Sequence, residues 1–334
     1  MNTRRFADTL TKGSRRVFYC DVGARFGVAR PWSDARDFLH VIAFEPDAEE
    51  ARRLRAVGDG QTIIESALWD QSGTVGLNIT RSPGASSVLL PNHPFLAEFP
   101  DAERFTVEKT VAVKTTTLDA VEHEKVPHVD FLKIDTQGAE EHVLRGGIQR
   151  IRREVVGLEV EVAFAPLYQG QAEFADIDRL LRAECGFHLW DLRFTRWKYR
   201  AGAHVGASKG RLVFGDALYF RPVAAVAGWL AGLDQNEIGQ KLAALALSAG
   251  LYGYADYVLA VLAEPGVVRV AGADVVNRYR TAIRQYGGRA PRRSFPRAHQ
   301  LLRMVSALTQ PAHGGWATTS SPLGSRKRGS WWIG

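Results

Sequence analysis

The stretch VDFLKIDTQGAEEHVLRGG, residues 129–147, decides the fold. Its first half is an apolar run of strand length, and its second half has helical spacing that stops at Gly146 and Gly147. Alternation along a strand puts Phe131, Lys133 and Asp135 on one face. Central parallel strands are covered on both faces and normally carry no charge. A lysine two residues before an aspartate, at the carboxyl end of such a strand, therefore needs a reason: an internal ion pair, a ligand site, or both. Gly138 permits a tight turn, and Glu140 and Glu141 begin the next helix, the end where carboxylates are favourable.

Working outward, the same strand–turn–helix unit recurs. Residues 17–22 and 41–44 read as strands, with a crossover helix over 28–39 that holds Pro31 in its first turn. Residues 47–57 predict a helix capped by Asp47 and ended by Gly58. A third strand is expected over 62–68, and an antiparallel addition over 74–80. Downstream, 155–164 is a strand, 174–185 an amphipathic helix stopped by Gly186, and 187–192 and 216–222 close the sheet. This alternation predicts a doubly wound α/β sheet. Residues 81–105 lack periodicity and predict a long functional or disordered loop. After Pro222 the pattern turns helical over 223–233, 236–249, 253–263, 273–287 and 295–308, an appendage of a size compatible with its own small core.

The 334 residues are 46% hydrophobic and 24% charged, which excludes disordered, collagenous and fibrous classes for most of the chain. Two cysteines, Cys20 and Cys185, cannot make a disulfide framework or a cysteine-rich metal site. No apolar run follows the charged N-terminus, and the apolar stretch 222–233 is too short to cross a bilayer, so a cytoplasmic location away from membranes is expected. The net charge of +7 arises at one end. Residues 276–334 contain no Asp or Glu, whereas acids outnumber bases over 1–275. The expected organisation is an N-terminal extension (1–14), a main domain (15–222), a helical region (223–308) and a disordered basic tail (309–334).

Candidate ligand residues sit at strand ends. In YCDVGARFG (19–27), Asp21 ends an apolar run and Gly23 and Gly27 frame a turn, where backbone can approach a ligand without a Cβ in the way. The middle glycine of the GxGxxG fingerprint is missing. Glu45, in AFEPD, follows the second strand 22 residues after Gly23, a spacing at which a carboxylate can accept both hydroxyls of a ribose. These features indicate an adenosine-bearing ligand without separating one such cofactor from another.

DVGARFG, AFEPD, ESALWDQSG, TTTLD, LKIDTQGAEEHVLRGG and the closing GDALYFRP occur in an order that resembles the FkbM-type methyltransferase family, over roughly residues 15–222. The resemblance implies a class I methyltransferase (Rossmann-like) fold, S-adenosylmethionine as donor, and O-methylation of hydroxyls on sugars, glycans or specialised metabolites. It also implies that Asp21, Gly23, Ala24 and Gly27 form the cofactor loop and that Glu45 binds the ribose. Ser66 and Ala67 would lie by the adenine, and Asp135 would face the methionine part and the methyl group. Arg25 stands where many relatives carry asparagine. The region after 222 lies outside the resemblance.

Transfer to an alcohol requires alignment and a proton acceptor. Asp135 is the first candidate for that base, with Glu140 and Glu159 behind it. Glu161 shares the face of Glu159. His93, in the 81–105 loop, would lie on a lid. No metal-ligand spacing is apparent. Two rival readings are a nicotinamide-dependent oxidoreductase and a non-catalytic interaction protein with a methyltransferase-like core. Nucleic-acid binding by the tail, with Trp316, Trp331 and Trp332 near Arg326, Lys327 and Arg328, is not expected. Homo-oligomerisation is left open.

Overall fold

Apolar runs that alternate with helices pair as parallel strands, and here five do so. In the computed structural model, residues 17–57, 61–205, 209–223, 235–262 and 315–320 are described, with 277, 280, 281, 283 and 284. The expected N-terminal extension, Gly58, the helix at 223–233 beyond Val223, most of that at 273–287, that at 295–308, and the tail tryptophans 331 and 332 lie outside these residues.

Strand β1 (Val17–Val22) leads through a 3-10 turn (Trp32–Phe38) to β2 (Leu39–Phe44). The crossover expected as a helix over 28–39 is this shorter turn, which starts only after Pro31 and ends where β2 begins at Leu39. Helix α1 (Ala48–Ala56) is capped by Asp47, whose side chain accepts from the backbone N–H of Glu49 and Glu50. The strand expected over 62–68 is two strands in different sheets, β3 (Gln61–Ile64) and β4 (Ala67–Leu68). The break falls at Ser66, whose hydroxyl donates to the carbonyl of Lys114 at 3.1 Å. Strands β5 (Gly73–Thr80) and β6 (Val107–Thr116) pair antiparallel and, with β4, make a separate three-stranded sheet.

The segment 81–105 is packed rather than loose. It contains the short helix α2 (His93–Leu96), and Phe95, Leu96, Phe99 and Phe105 bury themselves against Tyr168 and Trp197. Apolar residues without a regular period gave no sign of this. Strand β7 (Phe131–Ile134) leads to α3 (Glu140–Gly146) and α4 (Ile148–Glu154), then β8 (Gly157–Ala163). Helix α5 (Phe174–Arg179) continues as a π-helical turn to Glu184, and the chain turns at Gly186, φ +73°. Strands β9 (His188–Trp197) and β10 (Arg211–Phe220) form a hairpin longer than the sequence pattern suggested.

With β11 (Ala317–Thr319), the main sheet has the order β11-β9-β10-β8-β7-β1-β2-β3. Strands β3, β2, β1, β7 and β8 are parallel, and β10 runs antiparallel to its neighbours. The doubly wound α/β sheet expected from the sequence is thus present. One face packs on the 3-10 turn and, through Leu54, α1; the other packs on α3, α4 and α5.

Two of the expected C-terminal helices are described, α6 (Gln235–Ser248) and α7 (Tyr252–Leu262). They do not enclose a separate core. Leu242, Leu245, Ala246, Val258 and Leu259 join one cluster with Val17, Tyr19, Trp32 and Phe131. Lys241 reaches into that layer, its ammonium 2.9 Å and 3.0 Å from the two oxygens of the fully buried Asp130. The expectation of a disordered tail fails at residues 315–320. Here β11 extends the sheet along β9, and Thr319 and Ser320 add side-chain hydrogen bonds to Thr195 and Phe194. Six residues with a single tryptophan are too few to show periodicity, so pairing to an open strand edge was not legible.

Candidate active site

Strand order reverses between β1 and β7, and open α/β sheets bind ligands in the crevice that diverging loops leave at such a point. An open-mouthed cavity with about 790 Å³ of space lies there. Its walls are Val22 and Gly23 from β1, Phe44 and Glu45 from β2, Ala67 and Leu68 from β4, and Asp135, Thr136 and Gln137 after β7. The 81–105 segment supplies Pro83, Gly84, Ser86 and Val88.

Gly23 is the tight point. It has φ +82°, and a Cβ built on it would stand 1.9 Å from the carbonyl oxygen of Asp135. Only glycine lets the end of β1 lie this close to the end of β7. The N–H groups of Gly23 and Ala24 both donate to the carbonyl of Phe44, which ties the turn to β2. Glu45, 3% exposed, accepts the Asp47 N–H on Oε1 at 2.9 Å and borders the cavity. Burial pushes its carboxyl up to about 7, against the pull of that N–H and of Arg25. Arg25 itself pairs with Asp47 at 2.8 Å.

The sheet register gathers charge behind the cavity. Asp21, Lys133 and Glu159 stand in one row across β1, β7 and β8, and Glu161, Asp216 and Arg193 form the next row toward the carboxyl end. The Lys133 ammonium lies 3.4 Å from Asp21 and 3.5 Å from Asp135. Burial opposes its charge, but the carboxylates of Asp21, Asp135 and Glu159 raise its pKa. Both carboxylate oxygens of Asp21 are buried without a hydrogen-bond partner. Lys133 therefore serves as the internal counter-ion that the sequence required, and Asp135 is the member of its cluster that reaches the cavity.

Glu159 accepts the Trp32 indole N–H at 2.7 Å. Burial pushes its carboxyl up to about 7, with the charge of Asp216 adding to the effect. An acid whose pKa is higher folded than unfolded keeps a proton that unfolding releases. Stability then falls as pH rises from about 4.5 to about 7 and levels off above that. Glu159→Gln keeps an oxygen for Trp32 and removes the ionisation. It should raise stability at pH 8 by on the order of 2 kcal/mol and give no such gain near pH 4.5, as read by urea unfolding. An equal change at both pH values would count against ionisation as the cost.

Gln137 ties together the side of the cavity that holds Asp135. Its φ of +56° is unusual for a non-glycine residue, and such strain persists where the surroundings fix it. The side-chain amide donates to Asp135 Oδ1 at 2.9 Å and to Glu161 Oε2 at 2.8 Å, and its oxygen accepts the Tyr168 hydroxyl at 3.1 Å. Glu161 is raised well above the usual carboxylate range by burial and by the charges of Asp135, Glu140 and Asp216. Glu140 accepts from the Thr136 N–H, the Thr136 hydroxyl and the Gly138 N–H, so its carboxyl is committed to holding the turn.

Of the residues the sequence singled out, Gly23, Glu45, Ala67 and Asp135 line the cavity together. Asp21 lies behind it on Lys133, and Ala24 and Gly27 shape the turn without lining it. Ser66 donates its hydroxyl to the Lys114 carbonyl and does not line the cavity. The reserve bases Glu140 and Glu159 are already engaged, while Glu161 is linked to Asp135 by two hydrogen bonds through Gln137. His93 is exposed and does not line the cavity. Arg25, noted in the sequence for standing where many relatives carry asparagine, is a wall residue; sequence reasoning passed over Gln137 as a bridge and Phe26, which is 79% exposed and lies against Gly84. An aromatic next to a glycine turn was the signal available for Phe26. Among the described residues no group of three or more His, Cys, Asp or Glu is placed to hold a metal ion, and no helix is long and apolar enough to cross a membrane.

The sequence profile of one protein family, the methyltransferase FkbM domain, matches residues 21–189, just over half of the chain. None of the curated proteins matches. Among solved structures, the chain is similar to a precorrin-6y C5,15-methyltransferase of Geobacter metallireducens GS-15 (10% identity, 66% of this chain and 87% of that one, TM-score 0.30). It is also similar to an uncharacterized protein of Listeria monocytogenes serotype 4b (8%, 84% and 97%, TM-score 0.34). A third is an rRNA methylase of Streptococcus thermophilus (12%, 66% and 95%, TM-score 0.28). These likenesses are remote, and the strand order defines the fold without them. The family match leaves the nicotinamide-dependent oxidoreductase without support.

Proposed function

Because the chain belongs to the FkbM-domain methyltransferase family, we propose that it transfers the methyl group of S-adenosylmethionine to a hydroxyl oxygen of a sugar, glycan or specialised metabolite. The observation that carries this reading is the meeting of Gly23, Glu45 and Asp135 in one cavity at the strand-order reversal. The residues present fit the donor. Gly23 lets the end of β1 close on Asp135 at the cavity wall, and Glu45 offers a buried carboxylate with one oxygen fixed by the Asp47 N–H. Ala67, Leu68, Leu77 and Val88 give an apolar slot suited to a flat base.

In this reading Glu45 holds the ribose hydroxyls, Ala67 and Leu68 flank the adenine, and Gly23 and Asp135 border the methionine part. The donor supplies an electrophilic methyl group on a sulfonium. The chain positions the acceptor oxygen in line and removes its proton. Asp135 is the proton acceptor: it is 36% exposed, faces the cavity, and is held by Gln137 on one oxygen and by the charge of Lys133 near the other. The resemblance to the FkbM-type family supports a hydroxyl acceptor. A cytoplasmic site of action is part of the same proposal.

Calorimetry with S-adenosylmethionine, with NADH and an oligonucleotide as controls, tests the donor assignment. Binding of the first alone is expected. Glu45→Ala should weaken it by about 1.5–3 kcal/mol, the worth of hydrogen bonds to a charged group. Unchanged affinity in a folded variant would remove Glu45 from the site. Radiolabelled donor offered with hydroxylated acceptors then tests O-methylation, and label recovered only on nitrogen would overturn it.

A further inference from the structure

The 315–320 segment lies far from the family-matched region in sequence, yet its one tryptophan sits under the cavity wall. Trp316 packs on Trp197 with ring centroids 5.4 Å apart, and its carbonyl accepts the Lys198 N–H at 2.8 Å. The Arg104 guanidinium lies over three rings at once, Phe105 at 4.7 Å, Trp197 at 4.9 Å and Trp316 at 5.5 Å. Its Nε is buried with no hydrogen-bond partner, so the rings are what hold that part of the cation.

From Arg104 the contacts run straight to the wall. The Arg104 carbonyl accepts the Ser82 N–H at 3.0 Å, and the Thr106 carbonyl accepts the Arg81 N–H at 2.9 Å. Phe105 meets the Tyr168 ring edge-on at 6.1 Å. The Tyr168 hydroxyl is 2.8 Å from the Ala85 carbonyl and 3.1 Å from Gln137, the residue that bridges Asp135 and Glu161. Residues 83, 84, 86 and 88 form the cavity wall directly. The same aromatic cluster thus supports the wall and orients the carboxyl pair.

We infer that Trp316 is a positioning residue for the active site: by closing the aromatic cage around Arg104, the C-terminal strand fixes the 82–88 wall and the Tyr168–Gln137 contact. The role does not follow from sheet pairing alone, since β11 could extend β9 with any side chain at 316. The identity of the wall as part of a donor cavity rests on the methyltransferase reading, but the coupling from Trp316 to the wall does not.

The test is backbone hydrogen exchange, read by mass spectrometry on the full chain, with calorimetry of S-adenosylmethionine alongside. In Trp316→Ala, exchange over 82–88 and 102–106 should quicken about tenfold, the scale set by losing a desolvated cation–ring contact and an aromatic pair. Donor affinity should fall several-fold while the melting temperature of the whole protein moves little. Trp316→Phe, which restores a ring face, should return both close to the starting values. If the alanine variant does not fold, Trp316→Leu replaces it, since it keeps apolar bulk without a ring for the cation. Faster exchange confined to 194–198 and 315–320, with 82–88 unchanged, would overturn the inference. If the unaltered protein bound no S-adenosylmethionine, the donor reading would fail, and the exchange pattern would still decide the role of Trp316.

Discussion

Asp135→Asn should lower kcat by about 10²–10⁴, the contribution of a positioned general base, while S-adenosylmethionine affinity stays nearly unchanged. The substitution keeps shape and one acceptor oxygen, so the Gln137 amide still has a partner on that side. What disappears is the carboxylate that would take the acceptor's proton, together with the charge that faces Lys133 at 3.5 Å. The measurement uses an acceptor found in the labelled-donor screen and compares kcat and KM separately. Normal turnover at saturation with lost donor binding would make Asp135 a donor ligand and not the base. Because Gln137 bonds both carboxyls, Glu161→Gln is the informative partner variant. It should alter the pH dependence of turnover more than its maximum.

The second large effect concerns the layer that holds β1. Lys241→Met should cost about 3–5 kcal/mol of folding stability, because it leaves the Asp130 carboxylate buried without its ammonium. Side-chain exposures of 5% for Lys241 and 0% for Asp130 place the pair out of reach of water. The remaining groups around that carboxylate, the Phe18 N–H at 2.8 Å and His128 Nε2 at 3.2 Å, do not replace a full positive charge held at 2.9 Å. Urea unfolding gives the loss directly. The double variant Lys241→Met, Asp130→Asn should recover a good part of it, since the uncompensated charge is what costs most. A loss below about 1 kcal/mol, the worth of an exposed pair, would mean that α6 is held by apolar contact alone.

Much of the site was legible because its residues announce themselves locally. Gly23, Glu45 and Asp135 each follow an apolar run at once, where a glycine or a carboxylate has no packing reason to be. The strand pattern likewise carried the doubly wound sheet, since buried parallel strands read as short apolar runs. What stayed hidden depends on pairs distant in sequence. Gln137 and Glu161 meet only through the β7–β8 register, and Tyr168 reaches Gln137 from beyond β8. Ser66, placed by the adenine only through the family resemblance, turns its hydroxyl to Lys114 and does not line the cavity. The aromatic residues of 81–105 and Trp316 belong to one cluster with no common period, so the former read as a loop and the latter as tail.

The burial of Val17, Tyr19 and Phe131 beneath α6 has a consequence for the order of folding. β1, β2, β3, β7 and β8 can pair while that face of the sheet still lacks this helix, which arrives only with Leu242 and its neighbours. Contacts of such sequence separation carry a high loop-closure entropy and form late. That face of the sheet is therefore expected to stay partly open to water until late in refolding, and apolar surface of this kind promotes aggregation. Docking of the α6–α7 pair is then expected to be a late step of refolding, in which Lys241 has to shed its water to reach Asp130.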